Sequence, residues 1–190
     1  MEALKLMNQG IQAMAPGLKR EAAIIEYTRM LLRASLHAEA ITHVRFLKES
    51  LSPEIAVEAY LQEIDIMNRK GDFQDPFVQN GGMLNVLGKT GVPPRLKPYY
   101  LSVLGDTYLG LSAYPRALKL YRELHSLEPD FFRHDPGLYA RMATAAYRLN
   151  NFADAKRYIL AAINLSPREH MADHLLFLGE CLYRLGENEK

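Results

Sequence analysis

The residues whose types and spacing could do chemistry are few. His170 and His174 stand at i, i+4 with Glu169 and Asp173 nearby, a spacing that can present two metal ligands on one helix face. The run HMADH lacks the glutamate that follows the first histidine of a zinc-hydrolase helix. Solvent-facing histidines at a helix start account for it. His37, His43, His125 and His134 are scattered and form no constellation. Cys181 would be a nucleophile only with exposure and a basic partner; one turn from Leu178 and Leu185, it reads as core. Gly88-Lys89-Thr90 supplies the end of a GxxxxGK[ST] phosphate loop, but the position five before Gly88 is Met83 and no strand precedes it. No residue is therefore assigned to catalysis, to a cofactor or to a metal, and the chain is expected not to be an enzyme.

Composition narrows the partners. The chain has 190 residues, 48% hydrophobic and 24% charged, enough apolar content for a substantial packed domain and too much for disorder. A net charge of +1 gives no electrostatic footprint for nucleic acid or an anionic membrane. Cys181 is the single cysteine, which rules out an intrachain disulfide framework and fits a reducing compartment. The opening MEALKLMNQG carries an acid at once and lacks the pattern of a signal peptide. No run approaches 18 apolar residues, so no membrane span is expected, and the expected location is cytoplasmic.

The elements that would position any functional side chain are written twice between Pro98 and Arg168. One copy reads PYYLSVLGDTYLGLSAYPRALKLYRELHSLEPD, the other PGLYARMATAAYRLNNFADAKRYILAAINLSP. Tyr114 falls on Phe152, Ala117 on Ala155 and Pro129 on Pro167, each at an offset of 38. Phe131–Asp135 is an insertion between the copies, and Asp135-Pro136 is expected to cap the helix that follows. A third copy begins after Pro167, with Ser166 and Glu169 as a capping-box pair, and reaches Lys190 before a second helix. Its helix, LLFLGECLYRLG, presents Leu175, Leu176, Phe177, Leu178, Cys181, Leu182 and Tyr183. An end helix of a solenoid normally shows a polar outer face. This one predicts either a longer array or a neighbour against the end helix.

Upstream, Leu4, Met7, Ile11 and Met14 predict a helix over Glu2–Met14, broken at Ala15-Pro16-Gly17. Helices follow over Glu21–Ala34 and Glu39–Ser50, the second with Ile41, Val44, Phe46 and Leu47 on its apolar face. Ser52-Pro53 is a helix start. The helix from there through Lys70 places Val57, Tyr60, Leu61, Ile64 and Met67 on one stripe. Pro76, Gly81 and Gly82 predict a short or bent helix over Asp75–Leu87. Gly88–Pro94 reads as a loop and hinge.

The repeated residues resemble the tetratricopeptide repeat, a 34-residue unit of helix, turn and helix. Counting from Pro98, small Gly105 stands at position 8, Tyr108 at 11, Tyr114 at 17, Ala117 at 20, Tyr121 at 24 and Pro129 at 32. The second copy keeps Ala143, Phe152, Ala155 and Pro167 at 8, 17, 20 and 32, with Ala162 at 27. Small residues let the paired helices approach, aromatics fill the gaps beside them, and the proline ends the second helix. The resemblance implies an all-α, right-handed superhelix of helical hairpins, about ten helices in all. Residues 1–90 would form degenerate N-terminal hairpins. Residues 91–190 would hold the clear units, 98–131 and 136–169, with a partial one at 172–190.

The resemblance also implies a concave groove lined by the first helix of each unit. Its positions carry over to Tyr99, Ser102, Asp106 and Leu109; to Ala140, Thr144, Tyr147 and Arg148; and to Asp173, Leu176, Glu180, Tyr183 and Arg184. The basic clamp for chaperone C-termini is not reproduced, since its position holds Ser102, Ala140 or Leu176. Position 13 is arginine at Arg33, Arg69, Arg148 and Arg184, with Gly110 the exception. A ladder of guanidinium groups would suit an acidic segment. Complementing helix dipoles and pairing with Asp65 or Glu180 is the preferred account. Most tyrosines, Tyr108, Tyr114, Tyr121 and Tyr158 among them, sit where aromatics pack between helices. The implied function is a protein-interaction scaffold that holds a partner's peptide or helix in this groove. The alternative is a subunit of a larger complex, or a self-associating chain, that uses its apolar end helix.

Overall fold

The computed structural model describes residues 2–73, 87, 91–165 and 171–187. Among them it is all-helical, with ten α-helices and one 3-10 turn and no strand. The chain divides into two units, Met1–Lys97 and Pro98–Lys190.

Five helices end in the same way. Ser35, Gly71, Ser112, Asn150 and Gly186 each take a left-handed conformation, with φ of 59°, 74°, 58°, 59° and 70°. Across each corner an amide reaches back five residues: Leu36 to Leu31 (2.9 Å), Asp72 to Met67 (3.0 Å), Ala113 to Tyr108 (2.8 Å), Asn151 to Ala146 (2.9 Å) and Glu187 to Leu182 (3.0 Å). That bond satisfies a carbonyl the helix end would otherwise leave open. Each left-handed residue lies two beyond position 13 of its unit. Arg33, Arg69, Gly110, Arg148 and Arg184, aligned in the sequence, thus each stand two residues before such a corner.

In the first unit, α1 (Glu2–Ala13) buries Leu4 and Ile11. Helix α2 (Leu18–Arg33) starts three residues ahead of the expected Glu21, directly after Gly17. Its Tyr27 hydroxyl donates to Glu39 at 2.5 Å; burial and that carboxylate push the phenol up to about 12. Helix α3 (His37–Leu47) buries Ala40, Val44 and Leu47, whereas Phe46, expected on the apolar face, is exposed. The Ser52 hydroxyl accepts the Ile55 amide at 3.5 Å, capping α4 (Pro53–Arg69) as its sequence predicts. Val57, Leu61 and Ile64 are buried as expected, but so are Ile55, Ala56, Ala59 and Ile66, so more than one stripe is covered. Two polar side chains go under with them. Gln62 accepts from the Thr28 hydroxyl and donates to the Ile25 carbonyl at 3.3 Å. Glu58 pairs with Arg29 and lies 3.4 Å from Arg95; burial still raises its carboxyl against the pull of those arginines. Such partners are what make a buried polar group tolerable. The helix expected over Asp75–Leu87 lies, apart from Leu87, outside the described residues, as do Gly88–Thr90. Residues 91–93 have no regular structure, and a 3-10 turn covers Pro94–Leu96.

In the second unit, α5 (Lys97–Gly110) and α6 (Tyr114–Leu127) form the first clear hairpin. They meet so closely at Gly105 that an added Cβ would lie 2.5 Å from Cε1 of Tyr121. The Phe131–Asp135 insertion becomes a short helix, α7 (Phe131–His134), with Phe132 fully buried against His125 and Tyr139. Helices α8 (Gly137–Arg148) and α9 (Phe152–Leu165) form the second hairpin. Its small residues Ala143, Ala155 and Ala162 are all buried. Asp135 does not cap α8: no side chain does, and the Asp135 carboxylate is held instead by Arg141 at 2.5 Å. Helix α10 (Met171–Leu185) buries Cys181, which with Phe177 and Leu178 joins the core of α5, α6, α8 and α9. The Ser166–Glu169 pair and His170 lie outside the described residues.

Candidate functional site

The face where the sequence places a groove is carried in this unit by α5, α8 and α10. Each ends at a left-handed corner, so its register is fixed at the C-terminal end by the corner bond. The predicted residues fall into two clusters and some remainder.

The larger cluster centres on Arg141. Its Nε lies 2.9 Å from Asp106 Oδ1, its Nη2 donates to Asp135, and the Tyr121 hydroxyl donates to Asp106 at 2.6 Å. One guanidinium thus joins α5, α8 and the loop before α8, while Tyr121 adds α6. Burial works to lower the Arg141 pKa, but Asp106 and Asp135 outweigh it and hold the group charged beyond its ordinary range. Burial and Asp106 push the Tyr121 hydroxyl well above its own. Asp106, predicted as a groove residue, is therefore engaged in holding three helices together.

The second cluster joins α8 to α10. Tyr147 donates to Glu180 at 2.6 Å, and Arg184 donates to the same oxygen at 3.1 Å. The Tyr147 ring packs on Phe177 with centroids 5.3 Å apart. The two donors lower the Glu180 carboxyl. Beside them Tyr183 is 65% exposed and Leu176 74%, and Arg148 is also exposed. Tyrosine and arginine are the residue types enriched at protein-binding surfaces.

The remaining predicted residues differ in exposure and bonding. Ser102 is buried at 7% exposure, Tyr99 is half-buried, and Thr144 donates its hydroxyl to its own helix at Ala140 (3.0 Å). The arginines of position 13 divide evenly. Arg69 pairs with Asp65 at 2.8 Å and Arg184 with Glu180 at 3.1 Å, the acid-before-base pairs read from the sequence. Among the described residues no ion pair involves Arg33 or Arg148. Arg33, Arg69 and Arg148 are each the last residue of a helix, where a cation complements the dipole.

Two features escaped the sequence reading. Arg141 gave no signal, because its carboxylate partners come from another helix and a loop. An open groove of about 450 Å³ also lies along the outer side of α9, lined by Lys156, Arg157, Leu160, Asn164, Leu185 and Glu187 among others. Its only trace in the sequence is Leu160, an apolar residue off the buried stripe. Among the described residues no group of three or more His, Cys, Asp or Glu could hold a metal ion, and no helix is long and apolar enough to cross a membrane. No protein-family model matches the chain, and no curated protein matches it in sequence.

Proposed function

We propose that the chain is a tetratricopeptide-like scaffold, a right-handed superhelix of hairpins that acts in the cytoplasm by contact and orientation rather than by chemistry. Its partner is another protein, which lays a peptide or helix along the face of α8 and α10. The observation that carries this reading is the Tyr147–Glu180–Arg184 cluster. It fixes groove residues of two successive units against each other and leaves Tyr183, Leu176 and Arg148 exposed beside them. A surface rigid before binding loses little entropy when it binds. The test uses a partner recovered from native lysate. Tyr183→Ala and Arg148→Glu each weaken its affinity for the full chain at least about tenfold, the cost of losing one hot-spot side chain. Equal affinity in a folded variant ends the reading.

A second reading has its own observation. Leu175 is 52% exposed beside Leu176, on a helix with the apolar content of its buried counterparts. It supports a chain that joins a complex, or itself, through α10.

A further inference from the structure

We propose that the bare flank of α10, with the adjoining groove on α9, is the docking site for a separate amphipathic helix that seats an aromatic ring on Gly179. This rests on the second reading above, that the end helix meets a neighbour, and names the neighbour.

The molecule shows what covers this flank elsewhere. In α5 the same positions are Leu101, Leu104 and Gly105; all three are buried, and Tyr121 of α6 lies over the glycine. In α10 they are Leu175, Leu178 and Gly179, of which only Leu178 is half-buried against the core. Gly179 is exposed, and a Cβ built on it would meet nothing within 4 Å. The α9 groove points to the same occupant. On α6, Leu118 is buried and Arg122, though exposed, reaches across to α9, donating to Tyr158 at 3.2 Å and Asp154 at 2.8 Å. An offset of 38 carries those two positions to Lys156 and Leu160, and both line the open groove. A helix lying where α6 lies on α5 and where α9 lies on α6 would fill both places at once.

The lining sets the chemistry of that helix. It needs an aromatic at the glycine, because no other position on the flank offers the depth of a missing side chain. One residue earlier it needs an apolar side chain, since Leu160 stands where Arg122 took the hydroxyl of Tyr158, the residue before the counterpart of Tyr121. Residues facing Leu175 and Leu182 are apolar by the same reasoning. Helix α6 itself meets these conditions, with Leu120 preceding Tyr121.

The probe is therefore a fluorescent peptide of the α6 sequence, Tyr114–Leu127, cross-linked on its solvent side because so short a helix is marginal alone in water. Added to the full chain, it gives a saturable anisotropy rise, with amide shifts at Leu175, Gly179 and Leu182. Gly179→Ala leaves the chain folded, with an equal or higher Tm, and weakens binding at least about tenfold by obstructing the ring. Tyr121→Ala in the peptide weakens it to a similar extent. Absence of binding up to about 1 mM peptide, or binding indifferent to both substitutions, overturns the proposal. Light scattering of the chain alone is the companion measurement. A dimer abolished by Gly179→Ala assigns the flank to a second copy and overturns the separate helix. A dimer indifferent to Gly179 keeps the second reading while removing this site from it.

Discussion

Helices α5 and α10 carry equivalent residues in successive copies of one pattern and meet opposite surroundings. Leu101 is 1% exposed and Leu175, its counterpart, 52%. Gly105 has a tyrosine ring over it and Gly179 has open space. Similar sequences therefore do not carry similar energies: a leucine or a glycine matters to stability only through what the rest of the chain brings to it. In α5 the apolar positions are core. In α10 part of the same set is surface, which is why binding readings gather there.

The contrast can be broken at three points. Leu101→Ala removes a fully buried side chain and costs about 2–5 kcal/mol, whereas Leu175→Ala stays within about 0.5 kcal/mol. Urea melts of the two variants decide it, and equal losses would make α10 as embedded as α5. Next comes a pair of opposite sign. Gly105→Ala drives a Cβ into Tyr121 and destabilises by about 1–3 kcal/mol; Gly179→Ala, in an open helix interior, stabilises by up to about 1 kcal/mol. Thermal melts with shifts in the same direction would refute the equivalence drawn between the two glycines.

The smallest effect concerns the ring that covers Gly105. Tyr121→Phe loses the bond to Asp106, about 1 kcal/mol at neutral pH. Its pH dependence is more telling. Burial and Asp106 raise the phenol above its ordinary value near 10. The folded state therefore holds its proton longer, and the linked stability is whole below pH 10 and drains as pH rises beyond it. A denaturation series from pH 8 to 11 shows a shallower alkaline loss for Tyr121→Phe than for the parent. What remains includes the share of Tyr27, whose phenol is raised as well.

These cases also show where the sequence was readable. Ser52 could be recognised as a cap because its partner, the Ile55 amide, is three residues away. Asp135 wears the same pattern before a proline, yet its carboxylate goes to Arg141; a cationic competitor nearby overrides a local preference. Cys181 was legible as core from its neighbours one turn away. Ser102 was not, because the position lies on the predicted groove face and burial depends on what packs there. The insertion before α8 was read only as an interruption of the repeat, and the burial of its Phe132 was not foreseen. For the candidate site, Glu180–Arg184 could be read from i, i+4 spacing, while Tyr147–Glu180 needed two helices in register. Local spacing was visible; convergence from separate helices was not.

The five left-handed corners carry a consequence for how the chain reaches its fold. Each is closed by an amide and a carbonyl only five residues apart, so each bend forms at the small entropic cost of a short loop. A hairpin that bends correctly brings its two helices together without a search through distant sequence, the condition under which helical proteins fold fastest. Serine at Ser35 and Ser112, and asparagine at Asn150, hold a conformation that glycine would enter freely.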